Sequence, residues 1–558
     1  MKHIHPFIVI TICILFLVPY TSLHSAGIRD DYISQTGIPR QLRQIVNENR
    51  DIALPPLHPD TSFTFETLLI NKYTNFSTID DVRIAGVLEQ IRENNDWQYN
   101  FNYRRIGCTK HLEDFLPREK LIEDINFLFD VLRYGYGAYH YFGGDDVFLP
   151  IRYTMIEKLN NMDKPFQVSS FLDDLLISEL QNIISDNYFQ IHNVTLGAVK
   201  HILYMSDEFI LYKEKNDFFT EIDGVIYKVL EISCIDTGIT QPDYFILPTL
   251  TNDGEFAWVF GIVTANTGYE TVEITVVFEN AVTKSTRSFN VNLPQIISPQ
   301  LSKSPMLEIN ELNGITLMKN RTLIGEQQEH IDFIYSADAL KDKPVLIMDL
   351  RGTGGEQAAY TREWLRSFTN YEPDDTFLFT YSMHLTTYVI RDLLSYFIPY
   401  NIANRTFEMA ELNHARKMGT QQNTASSVSY KYRLEWDKPI QNDNFVIVIT
   451  DNNIHISGEM FIGQLRQLEN VLFVGTNTSG THLSVGFTRS NYRHARIGRT
   501  KLPNSKIDII FGLELNLRPD LSQFEGIGFM PDLYVPPEES LERVLRFIER
   551  YGLLENLQ

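Results

Sequence analysis

The sequence predicts a C-terminal α/β domain with a largely parallel sheet, preceded by a helical N-terminal domain and a small β domain. Two changes of pattern support this fold class. Apolar residues recur at helical spacing within 27–204, alternate with polar residues within 205–304, and form buried strands separated by helices within 305–558. A chain of 558 residues is also too long for a single hydrophobic core.

Residues 1–26 are typical of a signal peptide. Lys2 precedes an apolar run from Phe7 to Val18, and small polar residues follow up to Ala26. The apolar run is too short to span a bilayer comfortably. We therefore expect a periplasmic or extracellular protein, with no stable membrane insertion after signal cleavage.

Two segments carry the helical prediction. In "REKLIEDINFLFDVLRYGYG", apolar residues recur at helical spacing until Gly135 and Gly137 end the pattern. In "SSFLDDLLISELQNII", Ser169 or Ser170 is the expected N-cap. The β prediction depends on "TVEITVVFEN", in which apolar and polar residues alternate as they do in a half-buried strand.

The C-terminal α/β prediction depends on three apolar runs, "PVLIMDL", "FVIVIT" and "NVLFVGT", which are typical of buried strands. Between the first two lie residues 371–443. This stretch is too long for a plain loop, so it is expected to form an inserted helical lid.

Composition excludes several function classes. A formal charge of −22 leaves no basic surplus to neutralise phosphates, so no nucleic-acid partner is expected.

Neither HExxH nor paired CxxC occurs, so no metal site is expected, and no organic cofactor is implied. After signal cleavage Cys108 and Cys234 remain, and they form either one disulfide or two buried thiols.

The segment "VLIMDLRGTGGEQAAY" places three glycines between a strand and a helix. A dinucleotide site is disfavoured because Gln357 occupies the position of the third glycine of GxGxxG. Two interpretations remain. Gly354 and Gly355 form either a nest of amides that binds an oxyanion or a plain tight turn that requires positive φ.

The segment "FVIVITDNNIHISGEMFIGQL" raises the main question of mechanism. Ser457 follows a buried strand and opens an amphipathic stretch, where hydrolases often keep a nucleophile and where ordinary helices keep an N-cap. A third interpretation is that Ser457 only neighbours the attacking position.

Several segments, taken together and in order, resemble the tail-specific (C-terminal-processing) and tricorn-core serine peptidase family. They are "NGITLMKNRTL", "IMDLRGTGG", "ITDNNIHISGE", "LFVGTNTSG", "KLPNS" and "EGIGFMPD". A weaker similarity extends to "SDNYFQIHNVTL" in the helical region. The resemblance implies a ClpP/crotonase-like sheet and a serine-type peptidase that acts on polypeptides without metal or organic cofactor.

The resemblance also implies roles for particular residues. The amides of Gly354, Gly355 and Ser457 would form the oxyanion hole. In the tricorn-like branch, a histidine assisted by a glutamate serves as base, and these positions match His192 and Glu525.

This chain departs from the family at two positions. The family nucleophile lies three residues before a glutamate, which places it on Ile456 instead of Ser457. The lysine of a Ser–Lys dyad would fall on Thr481. Ser457 could attack only if the turn shifted by one residue, with His455 as a local base. Otherwise Ser457 remains an N-cap and an oxyanion-hole amide.

The sequence therefore predicts an exported serine-type peptidase of this family, with activity reduced because the nucleophile position is Ile456. The alternative is a non-catalytic relative that binds peptides or envelope proteins through the same groove.

Overall fold

The computed structural model describes residues 86–87, 90, 115–161, 166–214, 216–234, 242–266, 268–302, 306–355, 358–371, 379–382, 427–428, 440–485, 498–517 and 524–554. The predicted signal peptide, Cys108, Gln357 and most of the predicted 371–443 insertion lie outside these ranges. Within them, no helix combines the length and the apolar character needed to cross a membrane.

Among the described residues, the longer helices are α1 Arg118–Gly135, α2 Asp145–Asn160, α3 Gln327–Leu340, α4 Ala358–Thr369, α5 Ser457–Leu465 and α6 Ser540–Arg550. The strands are β1 Phe115–Leu116, β2 Phe166–Gln167, β3 Gln190–Ile191, β4 Val194–Thr195, β5 His201–Glu214, β6 Asp217–Ile222, β7 Val225–Ser233, β8 Ile246–Leu250, β9 Phe256–Ala265, β10 Thr271–Asn280, β11 Thr286–Pro294, β12 Glu308–Leu312, β13 Ile315–Lys319, β14 Val345–Asp349, β15 Phe379–Ser382, β16 Ser427–Val428, β17 Phe445–Thr450, β18 Val471–Gly475, β19 Ser484–Val485, β20 Arg499–Lys501, β21 Asp508–Ile510, β22 Glu514–Leu517 and β23 Leu533–Tyr534.

The helical region follows the predicted periodicity, with one difference. Helix α1 ends at Gly135, where the apolar pattern stops. A further helical stretch covers Val168–Ser170, Phe171–Ile177 in π-helical geometry, and Ser178–Leu180. The predicted N-cap at Ser169 or Ser170 is wrong, because helical geometry begins at Val168 and neither serine makes a capping hydrogen bond.

Strands from near the C-terminus complete the helical core. β21 pairs with β3 and β20, so 190–195 and 499–510 form one four-stranded sheet. Leu502, Ile507 and Ile509 are fully buried in the same hydrophobic cluster as the residues of α1. The helical core thus takes side chains from both ends of the described chain.

The β region is a seven-stranded antiparallel sheet in the order β11-β10-β7-β6-β5-β9-β8. The predicted alternation in β10 is confirmed, because Val272, Ile274, Val276 and Phe278 are buried. A bridge between Tyr204 on the interior strand β5 and Gln295 after the edge strand β11 brings these two parts of the sheet together. The sheet therefore curls around its own core, which contains the buried thiol of Cys234.

The α/β region is a six-stranded sheet in the order β12-β13-β14-β17-β18-β23. The hairpin of β12 and β13 is antiparallel, and every other pairing is parallel, as the sequence predicts. Every residue of β14, β17 and β18 is buried. This burial follows because α3, α4 and α5 cover one face of the sheet and α6 covers the other.

Candidate functional site

The candidate site lies beyond the carboxyl ends of two neighbouring parallel strands. β14 leads into the glycine turn 352–355, and β17 leads into the loop 451–456 before α5. Side-chain ligands and reacting groups commonly collect at this edge of an open α/β sheet. Asp349 ends β14 just before the glycine turn. Its buried carboxylate accepts hydrogen bonds from Arg321 and Arg351. These two guanidinium groups lower the pKa of Asp349 although its burial opposes the shift.

Ile456 occupies the strained position of the strand–turn–helix. Its backbone has φ 50° and ψ −111°, and it is the N-cap residue of α5. A β-branched residue at positive φ is a conformational outlier. A strained strand-to-helix turn of this kind is what presents a nucleophile in many hydrolases. Here the presented residue is Ile456, the position that the family resemblance assigns to the attacking serine.

Ser457 is the first residue of α5 and is buried. The interpretation of Ser457 as the N-cap is wrong, because the helix begins at Ser457 and its N-cap residue is Ile456. Its hydroxyl makes no hydrogen bond to any described residue. Its amide donates to the carbonyl oxygen of Gly355 at 3.2 Å. In this conformation, one of the predicted oxyanion-hole amides is therefore already bonded within the protein.

The glycine turn packs tightly against the loop before α5. A Cβ at position 354 would lie 2.1 Å from the His455 ring, so any other residue there would require that ring to move. Gly355 has φ 137°. Within the described part of the chain, the amides of Gly354 and Gly355 have no hydrogen-bond acceptor. His455 contacts this turn, and its Nδ1 is bonded to the Asn453 carbonyl at 2.8 Å.

Glu459 ties the helix to the loop Thr478–Ser484. Its buried carboxylate accepts hydrogen bonds from the amides of Gly480 and Thr481 and from the Thr478 hydroxyl. It also accepts one from the amide of Ile456, which is the reach-back half of a capping box. Burial raises the pKa of Glu459 to about 7. Thr481, the position of the dyad lysine, contributes its amide to this network and bonds its hydroxyl to Ser479.

Glu525 holds the same loop from the other side. Its carboxylate accepts hydrogen bonds from the amides of Asn187, His482 and Leu483, at 2.7 to 2.8 Å. Burial, followed by repulsion from Asp186, raises the pKa of Glu525 to about 8. Asp186 in turn accepts hydrogen bonds from the hydroxyls of Tyr136 and Ser484. These contacts place Glu525 in a structural network with the loop.

His192 and Asn193 form the two-residue turn of the β3–β4 hairpin, and His192 has φ 57°. Its amide donates to the Asp508 carbonyl, and its Nδ1 is buried without a partner among the described residues. No hydrogen bond between described residues joins His192, Ser457 and Glu525. A linked triad of the predicted residues is not formed by direct hydrogen bonds in this conformation.

Two residues were not identified from the sequence: Asp186, and Asp451, whose carboxylate accepts a hydrogen bond from the amide of Gly352. The structural role of Glu459 was not identified either. Glu459 was visible as the residue that marks the register of the nucleophile. Asp186 stands in the segment "SDNYFQIH", the weakest of the matched segments. The structure places no group of three or more metal-ligating side chains together within its described ranges.

Comparisons with known proteins give similarity at the level of solved structures. No protein-family model matches the chain, and no curated protein matches it. The structure of mature CPAF covers 79% of this chain and 97% of its own, with 14% identity and a TM-score of 0.41. The photosystem II D1 C-terminal processing protease covers 77% of this chain and 97% of its own, with 11% identity and a TM-score of 0.34. The tricorn protease matches 79% of this chain and 37% of its own, with 12% identity and a TM-score of 0.30. These structures include C-terminal-processing and tricorn proteases, the same family that the sequence motifs resemble.

Proposed function

We propose that this protein binds polypeptides on the surface formed by Ile456 and Ile324 beside the glycine turn, on a fold of the tail-specific peptidase type, and that it has lost serine-based hydrolysis. The observation that carries the proposal is the backbone of Ile456, at φ 50° and ψ −111°. This conformation supports residue 456, and not residue 457, as the one that the strained turn presents. The aliphatic side chain of Ile456 has no lone pair with which to attack a carbonyl carbon.

The size of the expected loss is large. Removing the serine nucleophile of a triad hydrolase costs on the order of a millionfold in turnover. An oxyanion hole and binding groove alone retain roughly 10³- to 10⁴-fold over water. In this structure the Ser457 amide is bonded to the Gly355 carbonyl, which removes part of that residual contribution as well.

Binding of an extended polypeptide is supported by the surface that remains. Ile456 is half-buried, and Ile324, which contacts the position of Gly355, is 62% exposed. Beside them lie Gly354 and Gly355, which are buried in this conformation. An extended chain offers alternate apolar side chains to such a surface, and its carbonyl oxygens would bond these amides only after the turn moves.

The experiment measures binding of a fluorescent, reduced and carboxymethylated polypeptide by anisotropy, and its cleavage on a gel. We expect saturable binding without cleavage. Ile456→Arg should weaken binding at least about tenfold, because it places a charge on the apolar contact surface. The matched control is Ile309→Arg on the outer strand β12, where isoleucine is 41% exposed, and it should bind as the wild type does.

Two results would overturn the proposal. Equal binding by the wild type and by Ile456→Arg would exclude the surface around Ile456 as the binding site. Cleavage that Ser457→Ala abolishes would establish the competing function, a peptidase in which Ser457 attacks.

We also propose export, on the basis of the predicted signal peptide alone. N-terminal sequencing of the protein from its native host is expected to begin near residue 27. An intact Met1 in the accumulated protein would contradict export by signal cleavage.

A further inference from the structure

Asp451 joins the two loops that form the candidate site. It follows β17, it is completely buried, and it lies beside the end of β14. Its Oδ1 accepts hydrogen bonds from the amide of Gly352 at 2.8 Å and from the amide of Asn453 at 3.1 Å. Its backbone carbonyl accepts a third from the amide of Ile454. One side chain thus fixes the start of the glycine turn and the start of the loop that carries Ile456.

Two backbone hydrogen bonds also join these loops. The amide of His455 donates to the Thr353 carbonyl at 3.1 Å, and the amide of Ser457 donates to the Gly355 carbonyl at 3.2 Å. Both bonds need the glycine turn and the loop at a fixed separation. Asp451 sets that separation at the point where the two loops leave the sheet.

We propose that Asp451 is a positioning residue that holds the glycine turn against the loop of Ile456, and that its ionisation makes the closure of the site depend on pH. The part of this inference that concerns ligand binding rests on the proposed function. The part that concerns the two loops does not.

The charged groups around Asp451 lie at the end of β14 and just after β13. Asp349 and Arg351 face it from the end of β14, and Arg321 reaches the same cluster through Asp349. Burial raises the pKa of Asp451 to about 6, against hydrogen bonds from Gly352 and Asn453 that favour the charged form. Segment 298–299 adds the Ser298 hydroxyl and the Pro299 carbonyl as neutral contacts of the loop.

Two other titratable groups lie near this site. The His455 ring lies against Gly354, and histidine commonly titrates near neutral pH. Glu459 contacts the amide of Ile456 from within α5. The effect of Asp451 must therefore be measured in the glycine turn, where the amide of Gly352 donates to its carboxylate.

The direction follows from linkage. If opening the loops exposes Asp451 to water, its pKa returns from about 6 to its ordinary value of 3.8. The closed state then binds more protons than the open state between these values, so closure is favoured at low pH and opening is favoured as pH rises. Between pH 5 and pH 8 the opening equilibrium should change about tenfold.

The test is hydrogen exchange of the ligand-free full chain at pH 5 and pH 8, corrected for intrinsic exchange rates. In the wild type, protection of peptides that cover 350–355 should fall about tenfold from pH 5 to pH 8. Asp451→Asn keeps an oxygen for both amides but cannot ionise, so protection there should stay high and nearly independent of pH. Asp451→Ala removes the acceptor, so protection should be low at both pH values.

His455→Gln is the matched control and should keep the wild-type dependence on pH. Equal dependence in the wild type and in Asp451→Asn would overturn the inference. Polypeptide binding is then measured at the same two pH values. Loss of binding at both values, with the exchange result intact, would refute the proposed function and leave the role of Asp451 standing.

Discussion

Ile456 holds a backbone conformation that is costly for its side chain. Strain of this kind is worth roughly 1–3 kcal/mol and persists only where surrounding contacts enforce it. Here the contacts are on either side of the residue. Thr353 accepts from the amide of His455, Gly355 accepts from the amide of Ser457, and Glu459 accepts from the amide of Ile456. The conformation is therefore fixed by the surrounding fold, with any side chain at position 456.

Ile456→Gly tests this account of the turn. Glycine adopts positive φ without strain, which offsets the loss of a half-buried isoleucine side chain of roughly 1 kcal/mol. We expect the free energy of unfolding, measured by urea denaturation, to change by less than about 1 kcal/mol. Ile454→Gly is the control, because Ile454 is fully buried and should cost about 3 kcal/mol or more. A comparable loss at both positions would show that residue 456 is not strained.

At the same scale, the sequence identified Ile456 as the residue at the turn before α5, but it did not reveal the backbone conformation of that residue. Counting back three residues from Glu459 identifies Ile456. The polar turn "DNNIHISG" leaves the register open by one residue, because no local signal in it requires positive φ at one position. The register is set by contacts with the glycine turn, about 100 residues earlier in the chain.

At the scale of elements, the loop Thr478–Ser484 shows what sequence patterns miss. Four consecutive amides, from Gly480 to Leu483, donate to the buried carboxylates of Glu459 and Glu525. These acceptors lie on a helix before the loop and on a turn after it. Because carboxylate and amide partners are distant in sequence, neither spacing nor periodicity reveals them. The assignment of Glu525 as an assisting carboxylate remains a prediction of the resemblance.

The strands were predictable at this scale for a simple reason. β14, β17 and β18 are covered on both faces, so their sequences are continuous apolar runs, and the helices between them require parallel crossovers. The contribution of 499–517 to the helical core was not predictable. It depends on the pairing of β21 with β3, which joins segments about 300 residues apart.

At the scale of the whole molecule, buried carboxyl groups should make stability depend on pH. Burial raises the pKa of Glu459 to about 7 and that of Glu525 to about 8. Above pH 6.5 the folded state binds more protons through these groups than the unfolded state does, so stability falls as pH rises towards 8. Burial lowers the pKa values of His140 and His482 to about 4, so these groups affect the pH dependence of stability only below their ordinary pKa of 6.5.

We therefore expect the melting temperature to fall by a few degrees between pH 6.5 and pH 8.5 in a scanning calorimeter. Glu525→Gln should reduce the size of this fall, because the variant removes the group whose pKa is raised most. Thr249→Val removes a buried hydroxyl that donates to the Tyr534 backbone carbonyl, away from these carboxyl groups, and should leave the fall unchanged. A melting temperature that rises over this interval would contradict the account of the buried carboxyl groups.

The most direct measurement of the central claim is labelling of the purified protein with a fluorophosphonate probe. An activated serine hydroxyl attacks phosphorus and displaces fluoride, so a stable phosphonyl-serine reports a working nucleophile. With Ile456 at the strained position and Ser457 buried at the start of α5, we predict no labelling above a heat-denatured control. Labelling of the wild type that disappears in Ser457→Ala would contradict the claim and identify Ser457 as the nucleophile.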